Sequence, residues 1–204
     1  MEKFSKFLEK LQNKRSDYVT DPYDQQSMYE DIASNVESLS PEAVAGIAGV
    51  ESEFGKYQKP LLGGSAKGTF QLMPNTIKYL NARLEKKGSE PEVNPLREEA
   101  RLTSELMKQH ESELKKTLGD EKELTPADFF VKHNLGQGMG RKLLRAPAIE
   151  EVGEILPEKV IESNPSIYKG KTKEEALAEI RQRLNKKSNE FKFEDRSPLG
   201  FLKD

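Results

Sequence analysis

Prolines stand at or just before the start of most of the long helical patterns in this chain, and nothing else constrains its fold as strongly. Ser40-Pro41-Glu42 puts a hydroxyl, a proline and an acid in succession. The hydroxyl can accept from an orphan amide, the proline gives up an amide that would be unbonded anyway, and the acid meets the positive end of the helix dipole. Pro74-Asn75-Thr76, the two prolines between Gly88 and Pro95, and Thr125-Pro126-Ala127-Asp128 do similar work further on. Apolar spacing then predicts helices over 41–54, 74–87, 96–118 and 126–136, with Gly55 and Gly136 as stops. Further helices are expected over 23–37, 140–145 and 172–187, with an irregular tail after Ser188. Lys59 to Gly68 reads as a loop around Pro60, Gly63 and Gly64, with room for a short hairpin. No run of alternating apolar residues asks for a sheet, so the expected class is all-α.

The 204 residues are 34% hydrophobic and 33% charged, which suits one domain with extensions. Composition divides the chain into an amphipathic arm over 1–20, a domain over 21–147 and a helical C-terminal extension over 148–204. In the arm, Phe4, Phe7, Leu8 and Leu11 share one stripe among lysines. Such a stripe packs on a protein surface or lies on a membrane; its shortness favours packing. Thirty-three basic residues against 35 acidic ones leave a net charge of -2, with no general pull toward nucleic acid. With no cysteine and two histidines, neither a metal nor another cofactor is expected. The N-terminus lacks the apolar run of a signal peptide, and no stretch approaches the roughly 20 apolar residues of a transmembrane segment.

Chemistry concentrates in three places. With Val44 as reference, Glu51 lies only about 20° away around its helix, while Glu42 and Glu53 fall on the opposite side. Burial disfavours the ionised carboxylate, so a glutamate on that stripe should hold its proton and serve as a general acid. The plain alternative is a helix-end glutamate paired with a lysine. Gln71 follows Gly68 in a turn, where glycine lets backbone approach a ligand and an amide offers both donor and acceptor. Phe70 and Met73 would form apolar wall. Asn134 aligns with Phe130 and needs a partner in the core or in a ligand. His110, between Gln109 and Glu111, reads as surface. Gly136-Gln137-Gly138-Met139-Gly140 lacks the strand and the lysine of a phosphate loop.

Together, Glu51-Ser52, Gly68-Thr69-Phe70-Gln71-Leu72-Met73-Pro74 and Lys132-His133-Asn134 resemble, in order and approximate spacing, the signatures of the soluble lytic transglycosylase domain. That family is related to goose-type lysozymes. Asn94-Pro95 before a long helix matches a further family feature. The likeness covers roughly residues 25–147 and is nearest to the version in bacteriophage virion proteins, where a segment like Asn164-Pro165-Ser166-Ile167-Tyr168 often follows.

The resemblance implies a lysozyme-like helical fold and a peptidoglycan lytic transglycosylase with Glu51 as its single catalytic acid and base. Glu51 would protonate the bond between N-acetylmuramic acid and N-acetylglucosamine, then draw the proton from the muramoyl 6-hydroxyl as a 1,6-anhydro ring closes. Ser52 would orient Glu51. Gly68, Phe70, Gln71, Met73, His133 and Asn134 would form the substrate subsites. His133 departs from the family's tyrosine, and Thr69-Phe70 from its Leu-Met. The implied setting is a virion assembled in the host cytoplasm and acting at the cell wall, with glycan strands and other virion proteins as partners. The other readings are a hydrolytic, lysozyme-type variant that leaves a free reducing end, a virion structural or ejection protein that keeps the fold with little activity, and a bacterial secretion-system transglycosylase.

Overall fold

The computed structural model describes residues 23–57 and 65–194. The amphipathic arm, most of the glycine loop and the last part of the tail lie outside those residues. The described residues form helices and no strands. They are α1 (Gln25–Ser34), α2 (Pro41–Ser52), α3 (Pro74–Lys86), α4 (Pro95–Leu118), α5 (Pro126–Arg145), α6 (Val152–Ile155), α7 (Glu158–Ser163), α8 (Pro165–Tyr168) and α9 (Lys173–Glu190).

The start signals act as their chemistry requires. Ser40 accepts from the Ala43 amide with Pro41 in the first turn. Thr125 and Asp128 form a reciprocal capping box, and so do Thr172 and Glu175. Asn94 accepts from Leu96 and Arg97 at the head of α4. The expected stop at Gly136 is a kink: φ of 70° and ψ of −176° interrupt α5, which then continues to Arg145. The stop of α2 comes before Gly55, because Glu53, Phe54 and Gly55 all adopt left-handed backbone, at φ of 54°, 60° and 83°.

Helix α2 is the central element. Val44, Ala45, Ile47 and Ala48 are buried, and burying a side chain such as valine or isoleucine stabilises by roughly 1.5–3 kcal/mol. Its two interior glycines, Gly46 and Gly49, let α9 approach: a Cβ on Gly46 would lie 2.8 Å from the Leu184 carbonyl oxygen. Ala176, Leu177, Ile180 and Leu184 of α9 share one core with Val152, Leu156, Ile167, Tyr168 and the helices before residue 147. The division expected at residue 147 is therefore no break in the packing. After α9, Phe191 packs on Tyr29 and Phe54, at centroid distances of 5.0 and 5.6 Å. The Gln26 side chain holds the Glu194 backbone through two bonds of 2.9 and 2.8 Å. The tail is thus fastened beside the left-handed turn that ends α2.

Candidate active site

Three segments meet at the C-terminal end of α2: that helix end, the turn over Gly68–Gln71, and the middle of α5. The turn is closed by a pair of backbone bonds between Lys67 and Leu72, of 3.0 and 2.9 Å. Gly68 is at φ of 79° and Gln71 at φ of 50°. Ser52 ties α2 to the turn, its hydroxyl donating to the Thr69 carbonyl at 2.7 Å. His133 ties α5 to it, with Nε2 at 2.8 Å from the Phe70 carbonyl oxygen. A carbonyl only accepts, so this ring nitrogen carries a proton.

Glu51 ends up where its helical phase places it. Its Oε1 is buried and has no hydrogen-bond partner. Burial pushes the carboxyl above its ordinary range, and the nearby His133 opposes that push. The lysine-paired alternative belongs to another residue: Lys187 reaches Glu53 at 2.9 Å. A buried carboxyl biased toward its protonated form, beside a proton-bearing imidazole, is equipped to give up a proton and to be stabilised while it lacks one.

Asn134 has a partner that the sequence did not single out. Tyr168, on α8 and fully buried, points its hydroxyl at Asn134 Oδ1 across 3.4 Å. Its proton is held more tightly than usual because of burial and then because of the negative charge of Glu51. A tyrosine hydroxyl therefore lies within electrostatic reach of the acid even though position 133 is histidine. The only sequence signal was the Asn164–Tyr168 segment itself.

Several expected roles change. Ser52 does not orient the Glu51 carboxyl. Its hydroxyl serves the Thr69 carbonyl and accepts from the Gly55 amide at 2.7 Å, so it fixes backbone on both sides of the acid. Phe70 is not cleft wall; it is fully buried, edge-on to Tyr29 at 6.3 Å. Gln71 spends its amide hydrogens on the Gly68 and Tyr57 carbonyls, at 2.8 and 3.1 Å, which leaves its carbonyl oxygen for a ligand. Gly68 has its structural reason in Glu99, whose Oε1 would lie 2.5 Å from an added Cβ. Met73 is half exposed and remains available as apolar wall.

His110 is only partly exposed, not the plain surface residue its neighbours suggest. Its Nε2 is buried without a partner, its ring lies 6.0 Å from that of His133, and burial plus the neighbouring His133 and Lys132 push it down to about 3. It borders a shallow depression of about 340 Å³ together with Asn75, Tyr79 and Gln137. A larger hollow near Lys115 and Lys122 lies away from Glu51. Among the described residues no group of histidines, aspartates and glutamates is arranged to hold a metal ion. No helix there is long and apolar enough to cross a membrane. No family model matches the chain, and no curated protein matches it in sequence.

Proposed function

We propose that this protein is a peptidoglycan lytic transglycosylase, working from a phage particle on the host wall. The observation that carries the reading is the Glu51 carboxyl. Its Oε1 is buried and unpartnered, and the group is biased toward its protonated form, at a helix end tied to a glutamine turn and with His133 close enough to oppose that bias. Glycosidic cleavage needs such an acid to protonate the leaving oxygen as positive charge builds on the sugar ring.

In the proposed cycle Glu51 gives its proton to the glycosidic oxygen, and the bond from that oxygen to the muramoyl anomeric carbon breaks. The carboxylate left behind is stabilised by the proton-bearing His133. It then takes the proton of the muramoyl 6-hydroxyl as that oxygen bonds the anomeric carbon, which closes the 1,6-anhydro ring and restores the acid. One carboxyl suffices for both halves. The neighbouring acids are occupied otherwise, Glu53 by Lys187 and Glu99 by the turn. This supports ring closure over an inverting hydrolysis, which needs a second carboxylate for water. Gln71 and Asn134 would hold acetamido and hydroxyl groups, with Met73 against a sugar face.

Clearing of a peptidoglycan suspension tests the proposal. Wild-type protein should lower turbidity, and Glu51→Gln should abolish clearing while keeping the helical circular-dichroism spectrum. Equal clearing by the two proteins would refute the role of Glu51.

A further inference from the structure

The glutamine turn depends on a side chain that none of the motifs contains. Glu99 lies in the second turn of α4 and inserts its carboxylate under the turn. Oε1 accepts from the Phe70 amide and Oε2 from the Thr69 hydroxyl, both at 3.1 Å. The fit requires glycine at position 68, since any Cβ there would meet Oε1 at 2.5 Å and Cδ at 3.0 Å. The residue whose amide Glu99 holds is the one whose carbonyl receives His133. The residue whose hydroxyl it holds is the one whose carbonyl receives Ser52. Glu99 therefore grips two peptide units that the catalytic helix and α5 hold from their other sides.

The groups facing this carboxylate are few. From the turn they are the Thr69 hydroxyl and the Phe70 amide; from α1 the titratable group is Tyr29, whose hydroxyl is buried without a hydrogen-bond partner. The nearest arginines on α4 are engaged elsewhere: Arg101 binds Glu98 and Arg97 lies over the Tyr23 ring at 4.1 Å. His133 faces the turn from α5 rather than facing Glu99. Among the described residues the carboxylate is thus held by hydrogen-bond donors and no counter-ion. Burial raises its proton affinity, and these donors oppose that rise.

We infer that Glu99 is a positioning residue: its ionised carboxylate, gripping Thr69 and Phe70, keeps Gln71 and the His133 contact in register, so that its protonation sets the acid limit of activity. A protonated carboxyl still accepts the Phe70 amide on its carbonyl oxygen, but both bonds lose their charge assistance and the Thr69 hydroxyl must turn from donor to acceptor, which loosens the grip on the turn. Activity would require Glu99 ionised and Glu51 protonated, which makes two buried glutamates with opposite demands the two limbs of the pH profile.

This inference rests on the transglycosylase reading, and the experiment separates the two. The rate on soluble glycan strands is measured against pH for wild type and Glu99→Gln, with thermal melts as a check on folding. Glutamine mimics the protonated carboxyl. The variant should fold, lose roughly tenfold in kcat/KM, chiefly through KM, and lose its acid limb while the alkaline limb stays. An acid limb unchanged from wild type would overturn the inference. The second readout needs no activity: the Phe70 amide and Gln71 side-chain amide resonances should titrate together with the Glu99 carboxyl carbon in wild type and not in the variant. A Phe70 amide that ignores the ionisation of Glu99 would overturn the inference, whereas inactive wild type with intact coupled titration would count against the transglycosylase alone.

Discussion

Replacing Glu51 by glutamine should do two opposite things, and the second is the sharper test of the buried acid. Activity should vanish, because an amide has no proton to give. Stability should rise at alkaline pH, because the wild-type site must bury an ionised carboxylate there whose Oε1 has no partner. The sign follows from linkage. The folded-state value of Glu51 is raised above its ordinary 4.5, so the folded protein binds the proton more tightly than the unfolded chain. The resulting stabilisation is complete below 4.5 and is lost as pH rises through the folded-state value. Glutamine removes that loss. Leaving a buried acceptor unsatisfied costs about 1–3 kcal/mol. At roughly 2–4 °C per kcal/mol for a chain of this size, Glu51→Gln should melt roughly 2–12 °C above wild type at pH 8. The gain should shrink toward zero near pH 4, where both side chains are neutral. Glu99 has a raised value too, but it is common to both proteins and cancels in the difference. Calorimetric melts from pH 4 to 8 decide the matter, and a gap that does not change with pH would refute the buried, proton-holding carboxyl.

Ser52→Ala should cost about 1–3 kcal/mol, since the Thr69 carbonyl and the Gly55 amide both lose a partner. The alkaline limb of the rate profile should stay in place, and a shifted limb would mean that Ser52 acts on the Glu51 carboxyl after all. Tyr168→Phe should lower kcat about tenfold or more if its hydroxyl orders Asn134 beside the acid, yet change stability by less than about 1 kcal/mol because the bond is long. Unchanged kcat would remove Tyr168 from the site. Gly46→Ala drives a methyl into the Leu184 carbonyl at 2.8 Å and should destabilise by about 1–3 kcal/mol, read from denaturant melts. An unaffected melt would contradict the close contact of α2 with α9.

The helix starts were legible because capping is local: Ser40 and Thr125 need only the next three residues to do their work. Burial of Glu51 was legible because phase on a helix survives folding. Residues that depend on a partner distant in sequence were not. Glu99 sits in a run of charges that looks solvated, although it lies about 20° from Leu106 around α4, on the buried stripe. His110 shares that stripe with Thr103, again about 20° away, and was masked by Gln109 and Glu111. Reading each charged residue by phase rather than by neighbours would have found both. Tyr168 belongs to a stretch of short helices with no sustained period, so only the fold brings it to Asn134. The bonds of Ser52 and Gln71 depend on turn geometry that residue type does not encode.

Mass analysis of fragments released from purified peptidoglycan tests the central claim most directly. Wild-type protein should release muropeptides ending in 1,6-anhydromuramic acid, each one water lighter than a hydrolysed fragment, and Glu51→Gln should release none. Intact glycan strands after long incubation with folded wild-type protein, on walls of more than one chemotype, would contradict it.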